Sequence, residues 1–229
     1  MTITTTKLTR AAGLAAVAGG LLFIAVQIKH PHLSADFVTT REYAVREAMK
    51  IAMAVLSLIG VTGIYLRQVR QTGLLGLVGY VIMGLGYLAI LSNQVVAVFV
   101  LPILAPHQTE YVTDVLGVAT NRPPVGDIGA LQTFIQLGGF AYIVGGILFG
   151  VALFRAGILA RWAAALMTLG AVATIATFQL PELTQRLFAI PAAIALIGLG
   201  FSLWREQRTQ VVPVLPSTDT PQLDPAGAR

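Results

Sequence analysis

The sequence contains no cysteine. Disulfides, thiolate nucleophiles, cysteine-ligated zinc and iron–sulfur clusters are excluded with it. Charge is almost as scarce. Asp, Glu, Lys and Arg make up 11% of the 229 residues, against about 25% in soluble domains. Beside 56% hydrophobic residues, so little charge excludes an ordinary soluble domain and a disordered chain. The formal net charge is +5. In a soluble chain that balance would raise nucleic-acid binding. Here the basic residues sit at the ends of apolar runs, where membrane topology accounts for them, and no nucleic-acid partner is expected.

What the chain has is apolar length. Crossing the hydrocarbon core takes about 20 predominantly apolar residues. Six segments meet that test: 11–28, 49–66, 73–104, 128–154, 162–178 and 187–204. A barrel would show alternating strands of about ten residues, and the unbroken run 141–153 does not alternate. The expected fold is therefore all-α, a polytopic integral membrane bundle of six transmembrane helices over residues 1–208, with the lipid bilayer as its partner. Residues 209–229, with Pro213, Pro216, Pro221 and Pro225 and little to bury, are expected to be a disordered tail. The first segment begins like a signal peptide, with Lys7 and Arg10. Leu33, before Ser34 and Ala35, stands where a cleavage site wants a small residue, and the apolar run is long, so a retained span is expected. The third segment as one straight helix would measure about 48 Å, against about 30 Å of hydrocarbon. A kink, or an extension packed under the outer loops, is expected near Ser92-Asn93-Gln94 or Pro102.

Orientation follows from Lys and Arg. With the N-terminus inside, the inner side holds nine basic residues against three acids, and the outer side six against seven. Both termini are expected in the cytoplasm, and the protein in the cell membrane. The inner turns, 67–72 and 155–161, are short. The outer loops, 29–50 and 105–127, are longer. The second should hold an amphipathic helix with Val112, Val115 and Leu116 on one face, ended by Asn121-Arg122-Pro123-Pro124. Three helices end alike, in Tyr65-Leu66-Arg67, Leu153-Phe154-Arg155 and Leu203-Trp204-Arg205. A parallel repeat and convergence on the same membrane boundary both fit that pattern.

No Asp, Glu, Lys, Arg or His falls in the middle of any span. Ionisable groups at that depth mark proton relays and ion-coupled carriers, so those classes lose support. All three histidines lie at the outer rim: His30, His32 and His107. With Asp36, Glu110, Asp114 and Asp127 on the same side they form a candidate metal site, although no HExxH or other metal spacing is present. Uncharged polar residues form a second constellation. Tyr80, Tyr87 and Gln94 are spaced by sevens, Gln132 and Gln136 are one turn apart, and Gln27 and Thr177 sit near the outer boundary. These seven are the candidate lining of an outward-opening polar vestibule. The same residue types also serve interhelical hydrogen bonding and close packing. Gly146-x-x-x-Gly150 is a helix-packing motif. Glu47 and Lys50 are placed to pair at the mouth of the second helix. Arg67, Arg70, Arg155 and Arg161 are placed to meet anionic headgroups.

Three stretches carry a resemblance: Leu8-Thr9-Arg10-Ala11-Ala12-Gly13, Ile59-Gly60-Val61-Thr62-Gly63-Ile64-Tyr65, and the segment from Phe154 through Arg155, Ala156, Gly157, Ile158, Leu159, Ala160 and Arg161 to Trp162, Ala163 and Ala164. Together they resemble a group of bacterial six-span membrane proteins filed as a domain of unknown function. The resemblance runs from about Leu8 to Arg205, the span region, with the Arg-Trp after a short turn as its most specific element. It implies six helices and a cell-membrane location, and no activity, cofactor or site residue. Three functions are expected in turn. The first is a structural or accessory membrane protein, with a membrane-protein partner. The second is a transporter or binding protein for a small neutral or amphipathic ligand held in the vestibule. The third is an enzyme acting through the rim histidines. No catalytic residue and no cofactor is assigned.

Overall fold

The computed structural model describes residues 3–28, 31–176 and 189–209, the last three as backbone only. The expected tail therefore lies almost wholly outside the described residues, as do His30 and Thr177. Every regular element among the described residues is a helix. We number them α1 (Thr5–Gln27), α2 (Ala35–Val38), α3 (Arg41–Arg67), α4 (Val69–Phe99), α5 (Leu101–Leu104), α6 (Thr109–Ala119), α7 (Ala130–Ala156), α8 (Arg161–Ala176) and α9 (Ala189–Thr209). Five of the apolar stretches are long enough to cross a membrane: Thr5–Gln27, Arg41–Arg67, Val69–Leu104, Ala130–Ala156 and Ala189–Glu206. Arg161–Ile175 is apolar and shorter.

The long helices form a closed ring. α1 packs on α3, α3 on α4, α4 on α7, α7 on α8, α8 on α9, and α9 returns to α1. Successive helices run up and down, so all the tight turns gather at one end. Gln68 and one short helical turn separate α3 from the main run of α4, which is set off by a kink at Gly73 (φ +57°). Gly157 ends α7 with φ +65°, and its N–H donates to Leu153 O at 3.1 Å. That left-handed conformation is open to glycine at little cost. A buttress then closes the ring across the sequence, as the Arg67 guanidinium donates to both carboxylate oxygens of Glu206, one at 3.0 Å.

Glycine sets how closely the helices approach. A Cβ at Gly86 of α4 would stand 2.6 Å from the backbone of Tyr142 on α7. One at Gly60 of α3 would meet Ala16 of α1 at 2.5 Å, and one at Gly13 of α1 would meet the Gly200 carbonyl of α9 at 2.7 Å. Gly146 and Gly150, the expected packing motif, face Ala171, Thr168 and Ala164 of α8. Inside the ring, Tyr65 and Tyr80 stack at 4.5 Å with an interplanar angle of 4°, and both tilt against Phe149. The outside is apolar. On α4, Leu74, Val78, Val81, Leu85 and Leu88 follow helical spacing and are all exposed, while Gly76, Gly79, Met83 and Gly86 are buried. Small residues inward and large apolar residues outward is the pattern of a helix in lipid.

The other end is capped. α3 begins at Arg41, about two turns before the apolar run that announced it. The Thr40 hydroxyl accepts from Tyr43 N–H at 3.2 Å and starts it. The long third segment passes straight through Ser92-Asn93-Gln94 and stops at Phe99. Pro102 then sits in the first turn of α5, the position where a missing N–H costs least. Of the two outcomes expected there, the packed extension is the one formed, since Leu101 is buried under the cap. Leu101 joins Ala35, Val38, Tyr43, Val112, Val115, Leu116 and Ile128 in a second apolar cluster separate from the ring core.

Gly86→Ala should lower the melting temperature in detergent, an overpacking cost of about 1–3 kcal/mol. Gly139 has nothing within 4 Å of its would-be Cβ and lies within α7, so Gly139→Ala should leave the melting temperature unchanged or raise it. Thermal unfolding of the two variants checks both signs, and equal losses would remove glycine packing as the organising contact.

Candidate functional site

A cavity of about 360 Å³ lies at the capped end. Its wall is built by every long helix. α1 contributes Phe23, Val26 and Gln27, and α3 contributes Tyr43, Glu47, Lys50 and Met53. α4 adds Asn93, Gln94, Val96 and Ala97, α7 adds Leu131 and Ile135, and α8 and α9 add Thr174 and Ala189. The roof is Leu101 of α5 with Val115, Leu116 and Ala119 of α6.

The cap that forms this roof follows from local sequence. α6 carries Val112, Val115 and Leu116 inward at helical spacing, and all three are buried. It ends in a Schellman motif. Asn121 takes φ +59°, Arg122 N–H donates to Gly117 O at 2.8 Å, and Asn121 N–H donates to Val118 O at 3.2 Å. Asp114 then ties down the loop. Its carboxylate accepts from Val125 N–H at 2.9 Å and from Gly126 N–H at 2.8 Å. A charge-assisted pair of this kind is stronger than two neutral hydrogen bonds. Asp114 is therefore committed to holding the loop over the cavity.

The charged groups of the described wall are concentrated on α3. Glu47 is 4% exposed, and its Oε1 accepts from Lys50 Nζ at 2.5 Å. Among the described residues, that is the carboxylate's one hydrogen bond. Asn93 Oδ1 is buried with no hydrogen-bond partner, an arrangement that costs about 1–3 kcal/mol unless something fills it. Gln27, Gln94, Tyr43, Thr120, Asn121 and Thr174 add further polar groups, and the remaining lining is apolar. A ligand here meets both kinds of surface, the usual make-up of a small-molecule site.

The residues singled out from sequence disperse. Gln27 and Gln94 stand together in the cavity wall. Tyr87 lies deeper, edge-on to Tyr142 at 5.3 Å, beside a separate void of about 20 Å³. Tyr80 lies deeper still, stacked on Tyr65, with its hydroxyl 3.1 Å from Thr62 Oγ1. Gln132 is half-buried and Gln136 exposed, both on α7 and neither in the wall. His32 and His107 are exposed. Among the described residues no three His, Asp or Glu side chains gather as a metal would require.

The wall also holds residues that the polar constellation did not include: Tyr43, Glu47, Lys50, Asn93 and Thr174. Their signal is in the sequence. Tyr43, Glu47, Lys50, Ala54, Ser57, Val61 and Ile64 fall at alternating steps of three and four, a single face of α3. Five of them besides the pair are buried, so Glu47 and Lys50 belong to the inward face.

Asp114→Ala should loosen the roof without unfolding the ring. Amide hydrogen exchange at Val125 and Gly126 should rise at least tenfold, matching the loss of about 1–3 kcal/mol for two unsatisfied amides, while exchange in α4 and α7 stays as it was. Unchanged exchange at those two amides would show that the carboxylate does not hold the loop.

Comparison with family models, with curated proteins and with solved structures finds no match to this chain.

Proposed function

We propose that the protein is a six-span protein of the cell membrane with both termini in the cytoplasm, and that it binds a small amphipathic ligand in the cavity under its outer cap. The sixth span in this reading is α8, whose described part is short for a full crossing. The orientation rests on charge. Arg67, Arg70, Arg155, Arg161 and Arg205 all gather at the tight-turn end, and the positive-inside rule places such an end in the cytoplasm. The capped end then faces outward.

One observation carries the binding reading: a cavity of about 360 Å³ walled by all the long helices, its lining mixing polar side chains from several of them with apolar ones. Its volume stands at the lower end of the range of roughly 300–1,000 Å³ for small-molecule sites. The absence of a reactive constellation suits a binder or carrier as well as it suits an accessory subunit, so it does not favour the latter.

The lack of native cysteine makes orientation directly measurable. In intact cells Thr109→Cys, exposed at the capped end, should react with a membrane-impermeant maleimide. Gln71→Cys, exposed at the tight-turn end, should react only after permeabilisation. The opposite pattern would invert the topology. For binding, native mass spectrometry of gently solubilised protein should find a retained small molecule on the wild type. Ala97→Trp, which fills the cavity from α4, and Ala119→Phe, which fills it from α6, should both lose that mass while keeping the fold. A mass retained equally by both filled variants, or no retained mass on the wild type, would overturn the reading.

A further inference from the structure

The walls of the cavity carry an electrical signature as well as a shape. Among its described lining residues only Glu47 and Lys50 are charged, one of each sign, and they touch. Their side chains are 5% and 18% exposed. The other charges of the same helix start are used elsewhere. Arg46 donates to Glu42 at 2.9 Å and to Ile28 O at 3.3 Å, on a different face of α3.

A buried pair of this kind holds capacity in reserve. An ammonium has three donors, and a carboxylate has about four acceptor sites. The contact between Glu47 and Lys50 uses one of each. Desolvating two charges is repaid only when the remaining donors and acceptors also find partners. A ligand that enters beside the pair can supply them. A net cation would satisfy Glu47 and stand against Lys50, and a net anion the reverse. Either leaves a surplus charge beside the largely buried Glu47, the costlier case. A ligand carrying both signs completes both side chains and adds no net charge.

Resting on the binding reading above, we propose that the cavity selects zwitterions with an apolar side chain, of the α-amino-acid type, with the ligand ammonium on Glu47 and the ligand carboxylate on Lys50. The apolar side chain lies among Phe23, Met53, Val96 and Leu131, which line the same cavity.

The test uses the full-length protein in detergent and four probes of one shape: phenylalanine, its cationic methyl ester, the anionic N-acetylphenylalanine, and the neutral N-acetylphenylalanine methyl ester. Isothermal titration should show phenylalanine binding at least tenfold more tightly than the other three. Glu47→Gln leaves a lone cation and should move the preference to N-acetylphenylalanine. Lys50→Met leaves a lone anion and should move it to the methyl ester. The exchanged pair, Glu47→Lys with Lys50→Glu, keeps both signs and should keep the preference for phenylalanine. It serves where a single variant fails to fold, and loss of the preference there overturns the proposal. So does equal or tighter wild-type binding of a singly charged probe, an unmoved preference in both single variants, or no binding of any probe. Equal binding of the neutral probe also overturns it, yet leaves the cavity standing as a site for amphipathic ligands. Retained mass in native spectra judges that broader reading separately.

Discussion

Two α-helix backbones can touch only where one of them offers no side chain. Lipid tails are as apolar as leucine, so helices in a bilayer gain little from burying apolar surface against each other. Close packing has to supply the cohesion instead. In this protein Gly60 receives Ala16, Gly13 faces Gly200, Gly79 receives Phe149 and Gly198 receives Trp162. These contacts lie in the middle of the ring and toward its tight-turn end. The cavity forms where they stop. Residues 21–28 of the first helix, 41–59 of the third and 87–99 of the fourth contain no glycine, and none of the described lining residues is glycine. Phe23, Tyr43 and Met53 stand in that zone instead and hold the helices apart. The same rule that closes the ring at one end thus opens it at the other.

The ring was legible because apolar length and small-residue spacing survive without tertiary information. The runs that begin near Ala11 and end near Trp204 each became a helix, and Val112, Val115 and Leu116 announced α6 through spacing alone. The start of α3 was hidden because Arg41, Glu42 and Arg46 read as a charged loop, although Glu47 and Lys50 were already placed to pair at the helix mouth, as they do. Charge content obscured a periodicity that the alternating steps from Tyr43 to Ile64 preserve. The polar constellation dispersed for a geometric reason. Tyr80 and Gln94 share a heptad position, yet fourteen residues of helix separate them by about 21 Å in depth. A straight α-helix also drifts about 20° per heptad. Shared register gave a common face without giving a common level, and of the described members only Gln27 and Gln94 reach the cavity.

Depth also explains why the most deeply buried ion pair among the described residues lies here. At mid-membrane an ion pair would compete with tight glycine contacts and carry the full desolvation penalty. Near the capped end the helices have already separated, and polar groups from α1, α4 and α8 stand within the same enclosure. A pair kept only for cohesion is readily replaced by apolar residues of similar volume with no loss of stability. The cavity side of α3 keeps both charges, at a cost the apolar packing inside the ring avoids.

The cap decides how anything reaches that enclosure. The ring helices contact one another along most of their length, whereas α2, α5 and α6 touch the ring through short contacts on α3, α4 and α7. Their own cohesion comes from a small apolar cluster and from the Asp114 carboxylate on two loop amides. Elements held by few buried contacts are the ones that open locally at low cost. Opening at the roof leaves every glycine contact of the ring intact. Opening between ring helices would break backbone contacts that nothing else replaces. Among the described residues the lightly held cap is therefore the part that opens at least cost, and it lies over the cavity that Glu47 and Lys50 line.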